Sequence, residues 1–273
     1  MNYILLYLSL AKVFLLMMHS KKNITTFLLF FAMVTVSNAQ LGFSHELGLI
    51  AGPVAFQSDY GERYDFNTNK GNVGIGVGIV HYINFAYRAD CDCRSADIYW
   101  NDHFKIRSEI AYHETTLNHL GPESDKLSLG GLQLRSMQGK AKVFEAGAQI
   151  EWYPLSIRDF QAGQTEIAPY IGFGARYVNY RPEATSSLGP LENPITTFPT
   201  FIDRIDTSQG TAIALTGDIG FRYKVGLNSD LLISSKWHYY IDSNYVDGLS
   251  PNNVNNRAND WIWWLNVGYI FYL

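Results

Sequence analysis

The last thirteen residues of the chain follow a strict two-residue pattern that runs to the terminus. The odd positions are all apolar or aromatic: Trp261, Trp263, Leu265, Val267, Tyr269, Phe271 and Leu273. Successive side chains of a β-strand point to opposite faces, so these seven side chains share one face. No charged residue follows Asp260. An uncharged face of this kind indicates a strand that contacts lipid rather than water.

The same period of two recurs along the chain after Gln40. It marks eight segments, near residues 43–56, 72–87, 103–117, 139–153, 167–180, 211–225, 230–241 and 260–273. No run of about 18 apolar residues accompanies them, so helical membrane spans are not expected. In lipid, strands satisfy all their backbone hydrogen bonds only in a closed barrel. We therefore predict an all-β fold, an eight-stranded antiparallel transmembrane up-and-down β-barrel with both termini in the periplasm.

The connections between the segments support this topology. With both termini in the periplasm, the first, third, fifth and seventh connections should face outward and be long. They cover residues 57–71, 118–138, 181–210 and 242–259. The inward connections are 88–102, 154–166 and 226–229, and 88–102 is unexpectedly long for that side.

The first 39 residues have the pattern of a secretory signal. His19, Lys21 and Lys22 form a basic region, residues 27–36 are apolar, and residues 37–39 are small. An apolar run of this length is too short to cross about 30 Å of hydrocarbon. We predict a signal peptide over residues 1–39, with translation starting at Met1, Met17 or Met18. An inner-membrane anchor is the alternative role of the N-terminal segment.

The barrel is predicted over residues 40–273, and its predicted location is the outer membrane of a Gram-negative bacterium.

Removing the signal peptide makes the chain more acidic. Residues 1–39 contain Lys12, Lys21 and Lys22 and no acidic residue, so 18 basic and 25 acidic residues remain, a formal charge of −7. A surface with this balance repels phosphate backbones. Nucleic acid is therefore not expected as a partner.

Charged residues of the predicted strands lie mainly on the face opposite the lipid. They are Glu46, Lys105, Arg107, Glu109, Glu145, Glu151, Arg176, Asp218, Arg222, Lys224 and Lys236. An eight-stranded barrel is just wide enough for side chains to fill it. Six basic and five acidic groups therefore predict an interior ion network that seals the barrel and only stabilises it, rather than an open channel.

The sequence contains no catalytic constellation or cofactor motif that we can identify. Its histidines do not form an HxxxH or HExxH pair. His113 and His119 lie near the predicted outer rim beside Glu114 and Glu123, where a metal or proton-linked site is the alternative to a structural role. We predict a non-enzymatic protein without a cofactor.

Cys91 and Cys93 leave three alternatives open. A disulfide between residues two apart would be strained, although the periplasm is oxidising. A metal site would need another ligand, for instance His103. The third alternative is free or partner-linked thiols.

The C-terminal strand resembles the recognition signal of bacterial outer-membrane β-barrels. The matching positions are Asn266, Gly268, Phe271 and Leu273. The resemblance implies that the barrel-assembly machinery is a partner of the chain.

Several segments resemble small, uncharacterised outer-membrane barrels of the Bacteroidota, especially a flavobacterial group. They are residues 38–46, 51–61, 87–91, 154–160 and 266–269. More distantly, Asn244-Tyr245-Val246-Asp247-Gly248 resembles an Asp-Tyr-x-Asp-Asp element of the PorG-like barrel of type IX secretion, with Asn244 and Gly248 in place of two acids. No catalytic residue is implied by either resemblance.

Two functional classes remain open at this point. The first is an envelope scaffold or interaction protein, accessory to protein secretion in one version. The second is transport of small solutes across the outer membrane through a lateral opening. We also predict that Lys140 and Lys142, on the lipid face at the outer start of the fourth strand, bind lipopolysaccharide phosphates, with ordinary solvated rim charge as the alternative.

Overall fold

The computed structural model describes residues 44–61, 65–85, 98–241, 245–250 and 260–273. All of these residues belong to one compact unit, Ser44–Leu273. The predicted signal peptide, Cys91 and Cys93 lie outside the described residues. The signal peptide and the state of the cysteines therefore stay predictions.

Eight antiparallel strands close into a barrel in which each strand pairs with its neighbours in sequence and β8 pairs with β1. They are β1 Ser44–Gln57, β2 Val73–Asn84, β3 Phe104–Asn118, β4 Met137–Trp152, β5 Ile167–Ser186, β6 Gly210–Gly226, β7 Ser229–Ile241 and β8 Trp261–Tyr272. The predicted fold class is confirmed. The periplasmic position of the termini stays a prediction.

The fifth strand is longer than the sequence pattern predicts. It continues to Ser186 and pairs along its whole extension with β4, whereas its last partner on β6 is Gly210, opposite Tyr180. The pattern places Pro182 in a loop, but beyond Tyr180 the strand is an edge strand, where proline is tolerated. At about 3.3 Å per residue, the β4–β5 ribbon extends roughly 20 Å past the end of β6.

Helices lie in connections at both ends of the barrel. One end of the barrel contains the C-terminus of β8, and its connections include α2 Ile98–His103 and α5 Ile157–Gln161. We call the other end the loop end. Its connections include α1 Phe66–Asn69, α3 Pro122–Asp125, α4 Leu129–Ser136 and a 3₁₀ turn Pro199–Phe201. The sequence pattern predicts no helix in these connections. Ser128 begins α4 by accepting a hydrogen bond from the Gly131 amide at 3.2 Å, as an N-cap serine does. Within the described residues, no helix has the length and apolar character needed to cross a membrane.

The two faces of the wall differ sharply in chemistry. Outward side chains are apolar and exposed, among them Leu49, Ile79, Ile110, Phe144, Phe173, Leu215, Ile219 and Val267. Inward positions hold buried charged, aromatic and glycine residues. Alternation along each strand produces this division, which places the polar core on the barrel axis.

Candidate functional site

The predicted interior charges converge inside the barrel, and all but Lys224 are fully buried. Near the termini, Lys105 lies 2.7 Å and Arg222 lies 2.6 Å from the carboxylate of Glu46. Arg222 also contacts Asp230 at 2.6 Å, and Lys224 lies 3.6 Å from the same group. These five residues form the first layer of the interior network.

Arg107 is the centre of the second layer. Its guanidinium lies 2.6 Å from Glu109, 3.3 Å from Glu151 and 3.2 Å from Asp218. Glu109 receives two further cations, Arg176 at 3.0 Å and Lys236 at 2.5 Å. Buried charges are tolerated only when paired and hydrogen-bonded in this way.

Sequence reasoning missed several members of the network. Asp230 is fully buried and forms an ion pair with Arg222. It was not predicted as an interior residue, although it lies an even number of positions from Lys236 on β7 and therefore faces the same way. Gln149 bridges Asp218 and Arg176 at 3.0 Å each. The ring of Tyr82 lies 5.6 Å from the Arg107 guanidinium and 5.0 Å from that of Arg222. Tyr82 therefore joins the first layer to the second.

A third group lies closer to the loop end and contains His113, Glu145 and His238, all buried. His238 Nδ1 is 2.7 Å and His113 Nε2 is 3.6 Å from Glu145 Oε2. The predicted rim arrangement of His113 with His119, Glu114 and Glu123 is wrong. His113 and Glu114 are adjacent in β3 and so point to opposite faces, while the His119 ring hydrogen-bonds the carbonyl of Tyr60 at 3.0 Å.

Lys140 and Lys142 lie on the outer face of the β4–β5 ribbon, as their parity predicts. Each is paired: Lys140 Nζ is 2.8 Å from Glu114, and Lys142 Nζ is 2.5 Å from Glu183. All four side chains are partly exposed. Because the two glutamates offset the two lysine charges, this surface attracts phosphate less than two free lysines would.

The four positions of the C-terminal pattern divide between the two faces. Asn266 is buried and accepts a hydrogen bond from Ser234 Oγ at 3.0 Å. Gly268 packs so closely on Ile50 that an added Cβ would lie 2.5 Å from its side chain. Phe271 and Leu273 face outward and are exposed. Recognition by an assembly machinery stays a prediction.

The connections at the loop end pack against one another to form what we call the loop cap, residues 58–72, 119–136, 187–209 and 245–260 as far as they are described. The ring of Tyr60 packs against that of His119 with centroids 4.6 Å apart, and the His119 ring packs against Phe201 with centroids 5.1 Å apart. Gln133 of α4 donates hydrogen bonds to the carbonyls of Pro194 and Ile195 at 2.9 Å. These contacts tie the first three connections to each other.

Backbone hydrogen bonds and buried carboxyl groups hold the last connection in the cap. Asp206 and Ser250 donate to the carbonyls of Gly248 and Arg204, both at 3.0 Å. The Asp247 carboxyl accepts the amide of Asp59 at 2.8 Å, and Asp260 accepts the amide of Val246 at 3.0 Å.

Burial raises the pKa of three of these carboxyl groups. The pKa of Asp247 rises from 3.8 to about 7, and the pKa values of Asp59 and Asp260 also rise, with the charge on Asp247 adding to the effect of burial. Because these pKa values are higher in the folded cap, their contribution to its stability is full below about pH 4 and is lost as the pH rises, through about 7 for Asp247 and about 9 for Asp59. The cap should therefore loosen in alkaline solution.

We expect proteolysis of the cap to be faster at about pH 8 than at about pH 5, relative to an unfolded peptide cleaved at the same pH. Asp247→Asn should reduce that difference. The matched control is Asp206→Asn, because Asp206 is exposed and its pKa is lowered by hydrogen bonds with Ser208. Equal pH dependence in the wild type and Asp247→Asn would contradict this account of the cap.

No family model matches the chain, and no curated protein matches it in sequence. Among solved structures it is similar to Neisserial surface protein A (NspA), at 18% identity over 84% of this chain and 98% of that chain, with a TM-score of 0.42. It is also similar to a major outer membrane protein from Thermus thermophilus, at 13% identity over 85% of this chain and 99% of that chain, TM-score 0.42.

A third similar structure is the outer membrane protein OprG from Pseudomonas aeruginosa, at 12% identity over 84% of this chain and 94% of that chain, TM-score 0.36. These identities and TM-scores are too low to assign a role. The resemblance to Bacteroidota barrels and to the PorG-like barrel stays a prediction.

Proposed function

We propose that the chain is a non-enzymatic outer-membrane barrel that acts as an envelope interaction protein and presents its loop cap to a partner protein. Its apolar outer wall supports insertion in a bilayer. The observation that carries the proposed role is the combination of a charge-filled interior with a packed cap, since the first leaves little room for a solute and the second provides an ordered surface.

The cap exposes large apolar side chains that its own packing leaves uncovered. Leu127 is fully exposed between α3 and α4, and Leu129, Leu132 and Ile195 are 61%, 43% and 68% exposed. Gln133 ties α4 to the segment that carries Ile195. Apolar side chains that lie on neighbouring segments of an ordered surface are typical of protein interaction sites.

Crosslinking in cells tests the interaction. A photoactivatable residue at Leu127 or Ile195 should give a discrete crosslinked species. The matched control is Leu227, which is 91% exposed but lies in the β6–β7 turn at the opposite end. Equal, diffuse crosslinking from all three positions would count against the cap as the contact surface.

Conductance tests the sealed interior. The purified protein in a planar bilayer should give no stable ionic current, because charged side chains paired at 2.6–3.3 Å occupy the axis near Arg107. A reproducible open-channel current in the wild-type protein would contradict the seal and favour a transport role.

The seam between β1 and β8 supports the second candidate, lateral transport of small apolar solutes. Pairing there runs to Ala51–Val267 and resumes at Val54–Trp264, and proline at position 53 has no N–H to donate. An apolar groove of about 680 Å³ on the outer wall includes Ala51 and Val267. If this role is correct, the double variant Ala51→Cys/Val267→Cys should lose solute uptake when its disulfide forms and regain uptake when that disulfide is reduced.

We also propose that Lys140 and Lys142 bind lipopolysaccharide phosphates. A lysine near an anionic lipid surface contributes roughly 1 kcal/mol of binding free energy, and the paired glutamates should reduce this. The double variant Lys140→Gln/Lys142→Gln should bind lipopolysaccharide more weakly than the wild type. Unchanged binding would contradict this proposal and limit the role of the two lysines to their ion pairs with Glu114 and Glu183.

A further inference from the structure

The group His113, Glu145 and His238 differs from the rest of the interior in how its charge is balanced. Among the described residues, every other buried carboxylate on a strand has a lysine or arginine within 4 Å, as the contacts of Glu46, Glu109, Glu151, Asp218 and Asp230 show. Glu145 has ion-pair contacts with the two histidines only. A fully buried carboxylate stays ionised only with a positive charge beside it.

The histidines also have nitrogens without hydrogen-bond partners. Within the described part of the chain, neither ring nitrogen of His113 has a hydrogen-bond partner, nor does Nε2 of His238. Buried polar atoms are nearly always satisfied, so each exception needs an explanation. Two imidazoles with unpartnered nitrogens beside a buried carboxylate are the ligand types that bind divalent transition metals.

The geometry suits one such ion. One ligand atom from each of the three residues lies within 4.8 Å of the others. Zinc binds imidazole nitrogen at about 2.0–2.1 Å and carboxylate oxygen at about 2.0–2.2 Å. The separation of 3.6 Å between His113 Nε2 and Glu145 Oε2 matches two ligands on one ion, and the 2.7 Å between His238 Nδ1 and Glu145 Oε2 needs a small widening.

Surrounding residues hold Glu145 and His113 in place. Tyr240 donates a hydrogen bond to Glu145 Oε1 at 3.0 Å, which leaves Oε2 for the ion. Trp264 packs edge-on to His113 with ring centroids 4.5 Å apart. Gly76 closes the site, since an added Cβ there would lie 2.5 Å from His113 Nδ1. Such supporting contacts orient metal ligands in proteins.

We propose that the barrel interior binds one divalent transition-metal ion, zinc by its ligand set, through His113, Glu145 and His238, with water as the fourth ligand. The ion supplies the positive charge that Glu145 otherwise lacks and joins β3, β4 and β7 across the barrel. This site is independent of the proposed interaction role, because it lies inside the barrel rather than on the cap.

Refolding the full chain into detergent with and without zinc tests the site, with folding checked by heat-dependent mobility on a gel. After dialysis, the zinc-refolded protein should retain about one ion per chain. Refolding with cobalt(II) should give visible absorption bands of a low-symmetry site. His113→Asn, Glu145→Gln and His238→Asn should each lose stoichiometric binding.

Two further variants keep the test decisive. His45→Asn/His81→Asn removes another histidine pair, 3.0 Å apart but on the outer wall, and should retain the ion. Tyr240→Phe keeps all three ligands and should weaken zinc binding by about tenfold or more. Absence of bound metal in the folded wild type, or the same metal content in the wild type and the three ligand variants, would overturn the proposal and leave an imidazolium as the counter-charge.

Discussion

Arg107→Leu will lower the free energy of unfolding of the barrel by roughly 3–5 kcal/mol, the cost of leaving a buried charge without its partner. Arg107 lies within 3.3 Å of three buried carboxylates, Glu109, Glu151 and Asp218. The last two have no other lysine or arginine contact within 4 Å among the described residues. Urea unfolding in lipid vesicles, followed by tryptophan fluorescence, measures the change.

Arg181→Leu is the matched control for that experiment. Arg181 lies on the exposed outer face of the β4–β5 ribbon, where a single charge contributes little to stability, about 0–1 kcal/mol. If the two variants unfold at the same urea concentration, the interior network does not stabilise the barrel as described here.

The second large effect concerns the outer wall. Ile79→Arg at the middle of β2 should destabilise the barrel in a bilayer by about 2–4 kcal/mol, because the guanidinium would lie among lipid tails near the midplane. Ile79 is 56% exposed on the outward face. The same unfolding measurement in vesicles gives the value.

Ile195→Arg provides the comparison, since Ile195 is at least as exposed, at 68%, but lies in the loop cap. We expect it to change the free energy of unfolding by less than about 0.5 kcal/mol, as surface substitutions usually do. If the two arginine substitutions lower the free energy of unfolding equally, contact with lipid does not determine the destabilisation.

The barrel and its polar interior could be predicted because both follow from local alternation. A period of two assigns each residue to a face without any knowledge of its neighbours in space, and this rule places Arg107, Arg222 and Lys236 correctly. Asp230 was within reach of the same rule, since it shares the parity of Lys236 at the start of β7. The ends of the strands were less predictable. Pro182 suggested a loop, but it is tolerated in β5 because β6 has already ended at that point and the proline needs no hydrogen-bond partner on that side.

The loop cap and the His113 group could not be predicted in this way. Each depends on which strands and loops become neighbours in space. Glu145 contacts His113 and His238, which lie 32 and 93 positions away in sequence. The loop contacts between Gln133 and Ile195 likewise join segments 62 positions apart. The register of the closed sheet specifies the first contact, and the packing of the loops specifies the second.

The central claim is that the outer wall of a closed barrel faces lipid. The most direct test is to fractionate cells that produce the full chain and to run the extracted protein on a gel with and without boiling. A barrel with a lipid-facing wall should be recovered from the outer-membrane fraction only with detergent, and it should migrate faster before boiling than after it. Recovery of a folded, monomeric protein from the periplasm without detergent would contradict it.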